Sequence, residues 1–175
     1  YKEHLARITL EYGLAPRSLA WVLLPKVLLA LLMALLTGTA LLFVVYFWVG
    51  AWPGRFLWAV WLLSGLMTLF WISGGLVLGM RIRHYMAGAI GGVLSGVIIF
   101  FIGGGMAPVR QNWAKVLWPA RLFPNTYAID PVRDLVLFQS WPADWTETLL
   151  ILVGFALVSL VAGLSLAARQ LRRLG

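Results

Sequence analysis

Very little in this chain could do acid–base or metal chemistry: six carboxylates, two histidines and no cysteine in 175 residues. Asp130 and Asp134 bracket Arg133, and Asp144 follows before the final apolar run. Carboxylates beside a cation invite a catalytic or ion-binding reading. The plainer expectation is a salt-bridged helix start, with Asp130 as N-cap and Pro131 at the first helical position. His4 and His84 lie far apart in polar segments and form no ligand cluster. No G-x-S-x-G, H-E-x-x-H or Walker phosphate loop occurs. Without cysteine there is no disulfide framework and no thiolate metal site. The expected catalytic set is therefore none, and so is the expected metal set.

Whatever the chain does must be positioned by apolar helices. It is 62% hydrophobic and 11% charged, where a soluble domain is roughly half apolar and a quarter charged. Such a composition belongs in lipid. The net charge of +8 would prompt a nucleic-acid reading in a soluble protein. Here the cations sit at helix ends and form no patch interleaved with aromatics, so nucleic acid is not an expected partner.

Four runs carry no Asp, Glu, Lys or Arg: Val27 to Gly54, Phe56 to Met80, His84 to Val109 and Thr148 to Ala168. Each reaches the roughly 20 residues that cross a hydrocarbon core. They predict transmembrane helices at Leu19–Val49, Phe56–Gly79, Tyr85–Gly104 and Thr146–Ala168. The expected fold is all-α and integral to the membrane. In domain terms, an amphipathic cytoplasmic helix (1–18) precedes three spans (19–105). An extracytoplasmic re-entrant or capping segment with short helices (106–145) leads to the last span (146–168) and a basic cytoplasmic tail (169–175). No acid lies deep inside a span, since Glu147 falls at the edge of the last one, so a proton relay is disfavoured. The chain opens on polar helical sequence with no signal peptide, and it reads as the C-terminal part of a longer subunit.

Short basic segments set topology. Lys2, Arg7, Arg17, Lys26, Arg81, Arg83, Arg169, Arg172 and Arg173 share one side in the four-span reading, which places both termini in the cytoplasm. Trp48, Trp52, Trp58, Trp61, Trp113, Trp118, Trp141 and Trp145 fall near the opposite boundary, where an indole keeps its ring apolar and its N–H wet.

Three segments stand out within this frame. Tyr1, Leu5, Ile8, Tyr12 and Ala15 recur at helical spacing, and Glu3, Arg7 and Glu11 can pair at i,i+4. That helix either lies on the inner membrane surface or docks a cytoplasmic partner. Gly88, Gly92 and Gly96, with Gly91 and Ser95 beside them, form a small-xxx-small stripe on the third span, suited to close packing on a helix of this chain or of a second subunit. Gly74, Gly75 and Gly79 suggest the same on the second span. The segment from Met106 to Trp145 is outside yet apolar, divided by Pro108, Pro119, Pro124 and Pro131 into pieces that protein must shield.

The order of these parts resembles the membrane subunit of ABC-2-type ABC transporters. Ala6 to Lys26, ARITLEYGLAPRSLAWVLLPK, is similar to the family's Gly-Thr-Leu-Glu segment, the Pro after it, and the Gly-Lys that opens a span. Thr9, Leu10, Glu11, Pro16 and Lys26 match; Ile8 and Pro25 replace the glycines, and the usual preceding acidic pair is reduced to Glu3. IGGGMAP, Ile102 to Pro108, stands where the family often has Ser-Gly and then Pro. LFPNTYAIDPVRDLVL, Leu122 to Leu137, resembles the family's Pro-x-Thr-Tyr-Ala segment, with Pro124, Thr126, Tyr127, Ala128 and Arg133 matching; Asp130 lies in the same outer segment.

The resemblance implies a six-helix subunit whose first two spans are not in this sequence, and a coupling helix at Tyr1 to Leu14 that meets the ATPase through Glu3, Arg7, Thr9, Glu11 and Arg17. It implies a multi-pass permease of the bacterial cytoplasmic (inner) membrane, surrounded by membrane lipid. A homodimer or heterodimer would move an amphipathic or lipid-like compound (drug, lipid or glycan-lipid) outward. ATP and magnesium would sit on a separate cytoplasmic ABC ATPase, with no cofactor on this chain. The alternatives are a membrane-embedded lipid-processing enzyme, with Asp130, Asp134 and Asp144 as its acids, and a non-transport scaffold that recruits a cytoplasmic partner.

Overall fold

The structure, a computed structural model, describes residues 19–81, 85–105 and 118–172. Within them the chain is helical: α1 (Leu19–Val49), a 3-10 turn (Gly54–Phe56), α2 (Leu57–Arg81), α3 (Tyr85–Ile102), a second 3-10 turn (Trp118–Leu122), α4 (Asn125–Arg133) running into a π turn (Asp134–Phe138), and α5 (Trp145–Arg172). A helix stands at each of the four expected positions, the second entered through a 3-10 turn and the last continuing past Ala168 to Arg172. Stretches of α1 (Val27–Val49), of α2 with its entry turn (Gly54–Gly75) and of α5 (Trp145–Leu166) are long and apolar enough to cross a membrane. The 18 residues of α3 span about 27 Å at 1.5 Å per residue, a little less than the ~30 Å of a typical hydrocarbon core.

Four hydroxyls inside these helices close on their own backbone. Thr37 donates to the Met33 carbonyl, Thr39 to Leu35, Thr68 to Ser64 and Ser73 to Leu69, each at 2.7–2.9 Å. In lipid no water would satisfy these hydroxyls, so the i−4 carbonyl does. Glycine ends two of the helices. Gly50 takes φ +72 after α1, and its N–H reaches the Tyr46 carbonyl at 2.8 Å. After α3, Gly104 takes φ +96 while the Gly105 N–H bonds Phe100 O and the Gly104 N–H bonds Phe101 O. That paired closure is a Schellman cap, and its left-handed residue favours glycine.

α2 and α5 form the central pair and run parallel. Trp58 meets Trp145 at one end, Phe70 meets Phe155 further along, and Ser73 meets Gly163 beyond that. α1 lies antiparallel on α2, with Trp61 Nε1 donating to Thr39 Oγ1 at 3.1 Å. α4 and its π turn wedge against α2 and α5, and α3 packs on α4. The buried cluster is small: Phe56, Ala59, Val60 and Leu63 from the α2 side, Ala128, Leu135 and Val136 from the wedge, and Leu152 from α5. The leucine, valine and phenylalanine surface left bare on α1, α3 and α5 is what a bilayer covers.

Candidate functional site

The wedge is the least ordinary part of the fold. Pro124, with φ −62, stands at its N-cap, and the Tyr127 and Ala128 N–H groups close on the Pro124 carbonyl at 3.0 and 3.1 Å. Proline arrives with helical φ already set, so the helix begins there. This corrects the expectation for Asp130. It is not an N-cap: it lies in the middle of α4 with Pro131 inside the helix. The salt bridge does form, Arg133 Nη1 to Asp130 Oδ1 at 2.6 Å.

Each of the other residues in this segment has a distinct place. Thr126 is buried and donates to the Ala120 carbonyl at 2.6 Å, tying α4 to the turn before it. Tyr127 sets its ring beside Phe155 of α5. Ala128 is fully enclosed, where a larger side chain would push α4 off its neighbours. Past Arg133 the helix widens into the π turn and ends at Gln139, whose φ is +48. Gln139 Nε2 donates to the Trp52 carbonyl at 2.8 Å, so the end of the wedge is fastened to the α1–α2 connection.

The start of the wedge sits much deeper. Trp71 Nε1 donates to Asn125 Oδ1 at 3.0 Å, and the Trp71 ring stacks on Phe123, 6.2 Å between centroids. Trp71 lies about 21 Å along α2 from Leu57 at 1.5 Å per residue. α4 and the π turn thus climb from the level of Trp71 back to that of Trp52. The sequence reading passed over Asn125. Its signal was an amide in an apolar stretch, which in lipid must find a partner.

Several of the tryptophans expected at the outer boundary gather, while Trp71 lies deeper. Trp58, Trp141 and Trp145 make mutual ring contacts, with Phe56 against Trp141 and Trp52 against Phe43 and Tyr46. They share the end of the bundle where α2 and α5 begin. Trp113 lies outside the described residues.

The glycines differ in what surrounds them. Gly91, Gly92 and Gly96 are exposed, and a Cβ on any of them would meet nothing within 4 Å. Ser95 is exposed between them, and Gly88 stands on α3 before them. Gly91, Gly92 and Gly96 thus have no neighbour among the described residues. Gly74 and Gly75 likewise meet nothing. The close approaches fall elsewhere. A Cβ on Gly163 would lie 3.2 Å from Ser73 Cβ and 3.3 Å from its carbonyl oxygen. One on Gly103 would lie 3.3 Å from Asn125 Cβ and 3.5 Å from the Thr126 nitrogen. The spacing of the glycines did not point to either.

Among the described residues nothing assembles acid–base chemistry. Asp130 is buried against Arg133 while Asp144 is exposed on the turn before α5, and no group of three possible metal ligands occurs among the described residues. The expected ATPase-coupling residues Glu3, Arg7, Thr9, Glu11 and Arg17 lie outside the described residues, as does His84.

Residues 14–137 match the family described as "ABC-2 type transporter". The match takes in α1 to α3, the whole of α4 and all but the last residue of the π turn. No curated protein and no solved structure matches the chain.

Proposed function

The chain belongs to the ABC-2 type transporter family, and from that premise we propose that it is the permease half of an exporter driven by a separate ABC ATPase. It is a multi-pass membrane protein and a permease component of such a transporter. The finer reading is that two such subunits, alike or different, pair around a path through the bacterial cytoplasmic membrane, with two ATPases docked beneath. The cargo is an amphipathic or lipid-like compound. The observation that carries this reading is the family match over helices with bare apolar faces and few charges. Arg133 is paired with Asp130 in the wedge, which suits a cargo that does not need a fixed charge. Nucleotide would bias a two-state equilibrium between inward and outward access, through the helix at Tyr1 to Leu14.

The test is reconstitution in lipid vesicles with a candidate cytoplasmic ABC ATPase from the same organism. A fluorescent phospholipid analogue and an amphipathic dye serve as cargo. ATP-dependent movement of either, absent with a hydrolysis-dead ATPase, is expected. ATPase activity indifferent to the permease, with no movement, would remove the reading.

Two further outcomes follow from the same proposal. Cysteines placed at Ala6 and Ser140 should react with an impermeant maleimide from opposite sides, because the basic segments hold the termini in the cytoplasm. Labelling of both from one side would sink that topology. Glu11→Arg removes the i,i+4 pairing with Arg7 and puts a like charge there, a loss of only a few tenths of a kcal/mol within the helix. A desolvated charge contact with a partner is worth several times that. The subunit should therefore insert normally and lose ATPase stimulation, while a Lys2→Glu control retains it.

A further inference from the structure

The third membrane helix is fastened at its end. From Ile90 to Ile98 every residue of α3 is exposed, and the close approaches described here come after it. Gly103 approaches Asn125 and Thr126, and Arg133 Nη2 donates to the Gly104 carbonyl at 2.8 Å. The other nitrogen of the same fork, Nη1, binds Asp130 at 2.6 Å. Gly103 and Gly104 are buried, and at this level of the bundle no water would serve a carbonyl just past a helix end. A guanidinium meets two acceptors in fixed geometry, one from its own helix and one from another. Asp130, buried and three residues earlier, aims it.

We propose that Arg133 is a positioning residue for transport: it latches the capped end of α3 to α4, so that α3 and the wedge shift as one body. The role in transport rests on the exporter reading; the latch itself does not. α4 is already seated on α2 and α5 through Ala128, Tyr127 and the π turn. The latch therefore decides whether α3 follows that core or moves alone. Lysine cannot replace the fork. Its ammonium is a point charge that can answer Asp130 without holding the Gly104 carbonyl in the same geometry.

The experiment compares wild type, Arg133→Lys and Asp130→Asn as full-length subunits in nanodiscs, by amide hydrogen exchange, and in vesicles with the ATPase, by transport. In Arg133→Lys the Gly103–Gly105 amides should exchange about ten- to a hundredfold faster, the factor a charge-assisted bond represents, while residues 125–133 keep their protection. The transport rate should fall with no change in the ATP concentration giving half-maximal rate. Asp130→Asn, which keeps Arg133 and its carbonyl partner, should show the same changes more weakly. Unchanged exchange at Gly103–Gly105 would overturn the latch, and so would an equal rise through α4, since Arg133 would then merely hold its own helix. A loosened turn with wild-type transport would overturn the positioning role. The exchange arm uses no ATPase, so it judges the latch separately from the exporter reading.

Discussion

Gly163→Leu should separate α2 from α5 and lower the folded yield of the subunit more than any other glycine replacement in the described spans. The first atom of the new side chain would already lie 3.2 Å from Ser73 Cβ and 3.3–3.4 Å from Ser73 backbone atoms. Backbone cannot swing aside as a flexible side-chain tip can, so the helices must part. Overpacking of this kind costs about 1–3 kcal/mol and more where backbone must shift. The loss bears on the largest helix pair of the fold, where lipid offers an equally apolar alternative and only close packing holds the helices together. Gly92→Leu is the matched control. Its side chain enters open space, and the subunit's own thermal unfolding in detergent should be unchanged within about 0.5 kcal/mol. Should the stripe pack on a second subunit, Gly92→Leu would change oligomeric state alone. Equal destabilisation by the two substitutions would show that the α2–α5 crossing is not where the close approach lies.

Trp71→Phe should destabilise the subunit, and Asn125→Leu should rescue much of the loss. The phenylalanine keeps a ring on Phe123 but removes the donor that satisfies Asn125 Oδ1 at 3.0 Å. A polar group left without its partner in an apolar setting costs about 1–3 kcal/mol. Replacing both partners by apolar groups removes the need for the bond, so the double variant should come within about 1 kcal/mol of wild type. Chemical unfolding of the two single variants and the double completes the cycle. Simple additivity would mean that the indole and the amide do not depend on each other, and that the start of the wedge is held there by Thr126 and Ala128 instead.

The same two sites show how far the sequence could be read. The membrane helices and much of the tryptophan end were legible because the bilayer acts on each residue locally. A charge at depth, an unpaired backbone group or an indole off the interface is penalised wherever it falls, without reference to another part of the chain. The turn after α3 was legible only as the run IGGG. Its structure gives the reason: Gly104 takes a left-handed φ and Gly103 lies against α4. Asp130 was misplaced because Asp-Pro is a good local start signal, and Pro124 supplied an earlier one in a setting that α2 and α5 complete.

Helix contacts were not legible at all. α1 and α2 are apolar on every face, so no polar stripe marks the side that packs. Gly154 and Gly163 stand in the same apolar helix and look alike in sequence, yet a Cβ on the first meets nothing and one on the second meets Ser73. In lipid a buried face and a lipid-facing one have the same composition, and shape between distant residues decides which is which. The sequence alone determined that this chain crosses a membrane, roughly where, and which family it resembles. Only the tertiary structure decided that Ser73 meets Gly163, that Trp71 finds Asn125, and that Arg133 reaches Gly104, because each pair joins surfaces whose fit no local pattern records.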